Sequence, residues 1–185
     1  MEFMVDALAP GFLIAVPQLL DGNFFRSVVY LIEHSEEGAF GVVINRPSDL
    51  MVADLLGSLG LVLPKVSESR VLIGGPVQPD RCLVLHREGD PTGGSRAITG
   101  TLFLASSQAS LTRLFSSVDP EALCFAGYSG WGPGQLEKEL EEGSWIPGPP
   151  NEDAVFHGDR DGLWDRSLRS LGIDPMFLVK GGMVS

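Results

Sequence analysis

The amino-acid sequence predicts an α+β protein with a mixed β-sheet. Three short apolar segments with the character of strands come before the first candidate helix, whereas a doubly wound α/β protein alternates strand and helix from the start. No internal repeat or low-complexity tract interrupts this pattern. With 185 residues, 44% of them hydrophobic, the chain is predicted to form a single domain over residues 1–185.

The first three strands follow from the apolar pattern at the start of the chain. Residues 12–16 are apolar and are followed by Pro17, which favours a short strand. Residues 27–33 carry apolar side chains at both odd and even positions, which is typical of a strand covered on both faces. A turn at 35–38 then predicts a hairpin into a third strand at 39–44.

The remaining elements are predicted from capping residues and apolar runs. Ser48 and Asp49 follow Pro47 and predict the start of a helix that runs to Leu56. Further along, the pattern predicts strands at 70–73, 82–86 and 123–126, a loop at 89–100 with a short strand at 97–99, and helices at 107–115, 135–142 and 163–171.

Residues 145–156 have the composition of a linker, because they include Pro147, Pro149 and Pro150. Only about thirty residues follow them, too few to form a core without a metal or disulfides. We therefore predict that the tail packs back on the main body of the domain.

The charge of the chain argues against nucleic acid and membrane partners. The net charge is −11, with 24 acidic and 13 basic residues, so the approach to DNA, RNA or anionic lipid is opposed by repulsion. The N-terminus contains Glu2 and Asp6 and no basic residue before its apolar stretch, unlike a secretory signal. The apolar run at 12–16 is too short to cross a bilayer. We expect a cytoplasmic protein.

The two cysteines, Cys82 and Cys124, each lie inside an apolar run. This placement favours small buried side chains in strands. The alternative is a redox-active thiol, which needs exposure and a nearby cation. Cys82 is the better candidate for that role, because Arg81 precedes it.

The glycine-rich stretch FAGYSGWGPGQLEKELEEGSW, residues 125–145, is interpreted as architecture and predicts no cofactor. Its spacing fits neither nucleotide-binding fingerprint. Trp131 stands where a hydrolase elbow around Ser129 would need glycine. The glutamates at 137–142 would repel a phosphate, and we interpret them as a solvated helix face.

Histidine spacing predicts no metal site. His34, His86 and His157 are scattered, without the spacing of known ligand sets. His34 and His86 could converge only if their strands are neighbours in the sheet.

The polar residues that flank apolar strands are the candidate ligand-binding residues: Arg26, Asn45, Arg46 and His86. Strand ends on a rigid scaffold often carry binding sites. The two arginines could hold an anionic group, or they could pair with Glu33 or Asp21.

Four segments occur in order along the chain: PGFLIAVPQLLDGNFFRSVVYLIEH, GAFGVVINRP, IGGPV followed by VLH, and GYSGWGPGQLEKEL followed by Trp145. Together they resemble the AlgH/YqgE family of bacterial proteins, over about residues 8–181. Ser129 and Pro133 stand where alanine is usual in the family's signature loop, which alters loop stiffness.

The resemblance implies an α+β fold with a mixed, bifurcated sheet that curls strongly towards a partial barrel (a pseudo-barrel), with helices packed outside. It implies little about activity. The family is largely uncharacterised, and its label of transcriptional regulator comes from a member linked to the control of alginate production. The resemblance brings no catalytic residues.

These observations favour a non-enzymatic regulatory or binding protein that acts through a protein partner or a small ligand. The alternative is an enzyme of unrecognised type, hydrolytic or thiol-dependent, with a strand-end site near Arg46 and His86 or a nucleophile at Cys82 or Ser129. Direct promoter binding is the third possibility, and the charge makes it the least favoured. A regulator of this kind is expected to act indirectly.

Overall fold

Ten strands and five short helices form an α+β fold in the computed structural model, which describes residues 7–61, 69–87, 94–115 and 121–176. In chain order they are β1 (Gly11–Ala15), β2 (Val28–Ser35), β3 (Gly38–Val43), β4 (Pro47–Met51), α1 (Val52–Ser58), β5 (Arg70–Ile73), β6 (Val77–His86), β7 (Arg96–Ala97), β8 (Phe103–Ala105), α2 (Gln108–Leu114), β9 (Ala122–Trp131), α3 (Gln135–Glu141), β10 (Trp145–Gly148), α4 (Glu152–Phe156) and α5 (Leu163–Ser170). The predicted α+β class is confirmed.

The sheet branches at β9. Its main path runs β10-β1-β2-β3-β9-β6-β8-β7, and all of these pairs are antiparallel. The first half of β9 pairs in parallel with β5, with Phe125 opposite Leu72, while its second half pairs with β3, with Ser129 opposite Gly41. The sheet is therefore mixed and bifurcated, as the family resemblance implied.

An ion pair shows how strongly the sheet curls. Glu33 lies on β2 and Arg96 lies on β7, five places away along the strand order. Even so, Nη2 of Arg96 lies 2.8 Å from Oε2 of Glu33. Strands so far apart can meet only if the sheet bends round on itself, so the structure is a half-barrel.

The inner face of the half-barrel forms the main hydrophobic core. Tyr30 and Phe125 are fully buried there, and α5 covers them with Leu163, Trp164 and Leu168. The indole Nε1 of Trp164 donates a 2.7 Å hydrogen bond to the carbonyl of Ala15 on β1. The C-terminal segment thus packs back on the sheet, as predicted.

The outer face is covered by two smaller clusters. One contains Leu13, Leu31 and Leu136 beneath α3, and the other contains Val84 and Leu111 beside α1 and α2. Because hydrophobic clusters lie on both sides of β2, apolar residues occur at both its odd-numbered and its even-numbered positions.

The predicted helix start at Ser48 and Asp49 is wrong. Residues Pro47–Met51 form strand β4, and the helix begins only at Val52. The Ser48 hydroxyl accepts the N–H of Leu50 and donates to the carbonyl of Val71 at 2.6 Å. Ser48 therefore ties β4 to β5 and does not cap a helix.

Four more strands differ from the prediction, two because they are longer and two because they are additional. β9 continues through the glycine-rich stretch to Trp131, and β6 begins at Val77. β8 and β10 were not predicted. The segment 145–156, which resembles a linker in composition, contains β10 and α4. None of the helices in the described part of the chain is both long and apolar enough to span a membrane.

Candidate functional site

The glycine-rich stretch brings two main chains into direct contact. A Cβ at Gly75 would lie 2.2 Å from the carbonyl oxygen of Tyr128, and a Cβ at Gly127 would lie 2.6 Å from that of Gly75. Gly127 also has a φ of +72°, in the left-handed region that favours glycine. The glycines here allow β9 to cross the 74–77 segment at close range.

Two glutamates of α3, Glu137 and Glu139, form specific contacts, so the interpretation of 137–142 as a solvated face is wrong for them, whereas Glu141 and Glu142 are exposed as predicted. Glu139 accepts the indole N–H groups of Trp131 and Trp145. Glu137 hydrogen-bonds to Nε2 of His34 on β2, and this bond lowers the pKa of the Glu137 carboxyl. These two carboxylates fasten α3 to the sheet.

Three of the four candidate ligand-binding residues lie together, beside the loop at 21–26. Asn45 accepts the N–H of Val28 at 2.9 Å and donates from Nδ2 to the carbonyl of Arg26, also at 2.9 Å. The guanidinium of Arg26 lies over the rings of Phe25 and Trp164, at 5.2 and 5.1 Å from their centroids.

Arg46 binds backbone carbonyls of the same loop. Its Nη1 donates to the carbonyls of Gly22, at 3.2 Å, and of Asn23, and its Nη2 donates to that of Phe25 at 2.8 Å. Partial burial lowers the pKa of the Arg46 guanidinium, and the charge of Asp21 opposes this shift. Because these donors bind main-chain carbonyls of the 21–26 loop, Arg46 stabilises the conformation of that loop. We call this arrangement the Arg46 clamp.

His86 has different neighbours. It is buried, its Nε2 lies 2.8 Å from Oγ of Ser95, and its ring stacks on Phe103 with centroids 5.6 Å apart. Its strand, β6, is separated from β2, which carries His34, by β3 and β9. His34 contacts Glu137, whereas His86 contacts Ser95, so the two imidazoles have different partners. Within the described ranges no three His, Cys, Asp or Glu side chains are grouped to hold a metal ion.

The candidate nucleophiles occupy buried or half-buried positions. Cys82 and Cys124 are diagonal neighbours on β6 and β9, and their thiols share a hydrogen bond. That bond lowers the pKa of Cys82 and, together with burial, raises the pKa of Cys124. Ser129 is fully buried and donates to the carbonyl of Gly74 at 3.0 Å.

The structure also shows a pocket that the sequence did not predict, which we name the curl pocket. It has a volume of about 460 Å³, within the range of small-molecule sites, roughly 300–1,000 Å³. Six strands contribute to its wall, among them β2 and β7, which the Glu33–Arg96 ion pair brings together. The residues that define it are Glu33, Phe40, Arg81, Leu83, Arg96 and Tyr128.

The charged groups of the curl pocket are two guanidiniums and one carboxylate. Arg96 is paired with Glu33. Arg81 has only a neutral partner among the described residues, since its Nη1 donates to Oε1 of Gln78 at 3.2 Å. These three ionised groups sum to about +1 at neutral pH, in a protein of net charge −11.

The opposite part of the wall is apolar and aromatic. Phe40 and Tyr128 pack edge to face, with centroids 5.0 Å apart and an interplanar angle of 64°. Leu83 and Leu104 are buried beside them. Aromatic and aliphatic walls with a few convergent polar groups are typical of small-molecule sites.

Two other pockets have weaker recognition chemistry. A cavity of about 350 Å³ near α5 includes His157 and Arg166, but His157 pairs with Glu121 at 2.8 Å and Arg166 donates to the carbonyl of Asp159. Another, of about 500 Å³, is lined only by alanine, leucine, proline and glycine. The curl pocket alone of the three has a cation without a carboxylate partner among the described residues.

Sequence reasoning missed this pocket because its residues are distant along the chain. Arg81 was considered only as a neighbour of Cys82, and Glu33 only as a possible partner of Arg26 or Arg46. The actual partner of Glu33 is Arg96. The sequence did indicate that Arg81 and Leu83, two residues apart, lie on the same face of β6. It did not indicate which other strands lie opposite that face.

Known proteins are similar to this chain over nearly its whole length. A model of the AlgH-like family matches residues 12–176. The UPF0301 protein of Anaeromyxobacter sp. (strain K) is 44% identical over 185 residues, which cover 95% of this chain and 94% of that protein. The UPF0301 protein of Myxococcus xanthus is 42% identical over 176 residues, which cover 94% of this chain and 96% of that protein.

Two solved structures share the fold. The solution structure of the AlgH protein from Pseudomonas aeruginosa has a TM-score of 0.78 and 36% identity, covering 97% of this chain and 96% of its own. The crystal structure of a protein from Corynebacterium diphtheriae has a TM-score of 0.68 and 25% identity, covering 87% of this chain and 85% of its own.

Proposed function

This chain belongs to the AlgH-like family of proteins, and from that premise and the geometry of the curl pocket we propose that it is a non-catalytic binding protein. In this proposal a small organic molecule binds in the curl pocket, and the bound state is recognised by a protein partner. Regulation is then indirect and involves no contact with DNA, in keeping with the net charge of −11.

One observation carries the proposal. In the curl pocket, polar groups from β2, β6 and β7 face an aromatic pair from β3 and β9, on a scaffold fixed by strand pairing. Such a site is preorganised, so little entropy is lost in ordering it when a ligand binds.

The alternative of an enzyme has less support from the geometry. The donors of Arg46 hold backbone carbonyls, His86 contacts Ser95, and the Ser129 hydroxyl donates to a carbonyl. A nucleophile needs a base within hydrogen-bond reach, and the contacts of Cys82 and Ser129 within the described residues join neither of them to a histidine or a carboxylate. The Ser95 hydroxyl does lie 2.8 Å from Nε2 of His86, but that imidazole is buried and stacked on Phe103.

Exposed apolar side chains around Arg46 support a protein partner. Leu20 and Phe25 are 76% and 42% exposed and lie in or next to the loop that Arg46 clamps. Ile73 is 43% exposed, and its N–H donates to the carbonyl of Arg46 at 2.8 Å. Exposed apolar groups that lie close together often mark interaction sites.

A fragment screen by two-dimensional NMR tests the proposal. We expect hits to perturb the amide signals of Phe40, Leu83 and Tyr128. The variant Ser106→Trp adds an indole at the exposed rim of the curl pocket and should abolish these shifts. Ser58→Trp adds the same indole at an exposed position of α1 and should preserve them. If the screen yields no hit at these signals, or if Ser106→Trp binds the hits unchanged, the proposal is wrong.

A further inference from the structure

We infer that the ligand of the curl pocket is a small aromatic monocarboxylate. This inference rests on the proposed function and specifies the chemistry of its ligand. The ring would lie against Phe40 and Tyr128, and the carboxylate would bind the guanidinium of Arg81.

The charge in the pocket is the first reason. Arg96 already has a carboxylate partner, Oε2 of Glu33 at 2.8 Å. Among the described residues Arg81 contacts the amide oxygen of Gln78, which satisfies one of the five N–H donors of a guanidinium. Its remaining donors match the two oxygens of a carboxylate, which guanidinium groups bind with two parallel hydrogen bonds. Arg81 is exposed, so these donors are accessible to a carboxylate brought by the ligand.

The side chain of Gln78 supplies one contact that orients the Arg81 guanidinium. Gln78 has a φ of +46°, unusual for a residue other than glycine, and its side chain accepts from Arg81 three residues later. β6 pairs irregularly with β9 between Val77 and Cys82, so this contact lies on a bulged part of the strand. Bulges commonly redirect a side chain beside a functional site.

The aromatic pair is the second reason. Phe40 and Tyr128 are half-buried, and they contact the main core cluster at the rim of the pocket. Partly exposed rings of this kind favour a further ring in an edge-to-face or offset arrangement. Leu83 and Leu104 complete an apolar surface with room for one ring.

Glu33 limits the charge of the ligand. Its carboxylate leaves about one net positive charge among the ionised groups of the wall, which matches a monoanion. A phosphate monoester carries closer to two negative charges and would be repelled by Glu33. We therefore expect a monocarboxylate to bind more tightly than a phosphate of the same size.

Calorimetric titration of the full chain tests the inference, with 3-phenylpropionate, its neutral amide and phenyl phosphate as probes. We expect the carboxylate to bind at least tenfold more tightly than the amide, a difference of about 1.4 kcal/mol. Arg81→Gln should reduce the affinity for the carboxylate to that for the amide. The matched control Arg70→Gln, which removes the same charge from an exposed residue of β5 outside the pocket, should leave the ratio unchanged.

A second variant tests the role of Glu33. Glu33→Gln removes the partner of Arg96, so both guanidiniums become available and affinity for phenyl phosphate should rise several-fold. A circular dichroism melt of each variant confirms that it is folded before titration.

The outcomes separate the inference from the proposed function. If the amide binds at the NMR-identified pocket as tightly as the carboxylate, or Arg81→Gln changes nothing, the inference is overturned and the binding function stands. If neither these probes nor any fragment binds in the curl pocket, both are overturned.

Discussion

Trp131 and Trp145 donate their indole N–H groups to the same atom, Oε2 of Glu139, at 2.7 and 2.9 Å. The two rings pack edge to face, with centroids 5.9 Å apart. One tryptophan ends β9 and the other begins β10, so a single carboxylate on α3 joins the two strands on either side of it.

This arrangement predicts that Glu139 stabilises the protein. Glu139→Ala leaves two indole donors on buried rings without their acceptor, and we expect the free energy of unfolding to fall by about 2 kcal/mol. Glu139→Gln keeps an acceptor oxygen and should lose less. Urea unfolding followed by tryptophan fluorescence measures both. Glu142→Ala is the control, because Glu142 is exposed and lies 3.9 Å from Lys138; an equal loss there would contradict the prediction.

The Arg46 clamp predicts a local effect. Arg46→Gln removes the donors to the carbonyls of Gly22, Asn23 and Phe25, and we expect about 2 kcal/mol of destabilisation. Amide hydrogen exchange should accelerate in residues 21–27 before it does elsewhere. Arg70→Gln provides the comparison, since Arg70 is exposed and only 3.5 Å from exposed Asp49. If amide exchange in residues 21–27 is no faster than elsewhere in either variant, Arg46 does not stabilise the loop.

The Glu137–His34 contact predicts a pH dependence. The hydrogen bond from His34 lowers the folded-state pKa of Glu137 below its ordinary value of 4.5. The carboxylate's contribution is therefore present above about pH 4.5 and is lost as the pH falls through the lower, folded value. Melting temperatures of wild type and Glu137→Gln should differ near pH 6 and converge towards pH 3. If the difference between the two melting temperatures stays constant from pH 6 to pH 3, the Glu137 carboxylate is not the group that causes this pH dependence.

Tyr30 predicts a substitution that costs little. Burial, with a smaller contribution from the charge of Glu152, raises the pKa of Tyr30 to about 12, and its hydroxyl has no hydrogen-bond partner within the described structure. Tyr30→Phe removes this unsatisfied group, so we expect stability to be unchanged or to rise by up to about 1 kcal/mol. The urea midpoint measures this. Trp164→Phe should be destabilising by comparison, because it breaks the bond to Ala15.

The net charge of −11 predicts that the protein does not bind duplex DNA directly. A mobility-shift assay with random duplex DNA near physiological salt should show no retarded band. A retarded band that disappears as salt is raised would show phosphate contacts and would contradict the indirect role proposed above.

Sequence reasoning was reliable where a local signal decided the structure. The apolar residues of β2 at both parities, the turn at 35–38 and the apolar pattern of residues 107–115 indicated elements that the structure contains. It failed at Ser48, because a serine before an apolar run predicts a helix cap unless a partner strand is known. β8, with three residues, is too short to show a period.

The candidate site was harder to predict for a physical reason. Arg26, Asn45 and Arg46 were identified from strand ends, and the structure places these three together. The curl pocket depends on the bending of the sheet, which brings β2 to β7. Bending is a property of the whole sheet and leaves no mark near Arg81 or Tyr128 in the sequence.

The described sheet has three edge strands, because β7 and β10 end its main path and β4, which begins with Pro47, ends its branch. These edges have a consequence for solution behaviour. β7 has two residues, and β10 has four, including Pro147, which offers no N–H to a neighbour. Short or proline-containing edges are poor templates for edge-to-edge aggregation. The half-barrel therefore keeps its long, apolar strands in interior positions, and concentrated solutions should resist fibril formation.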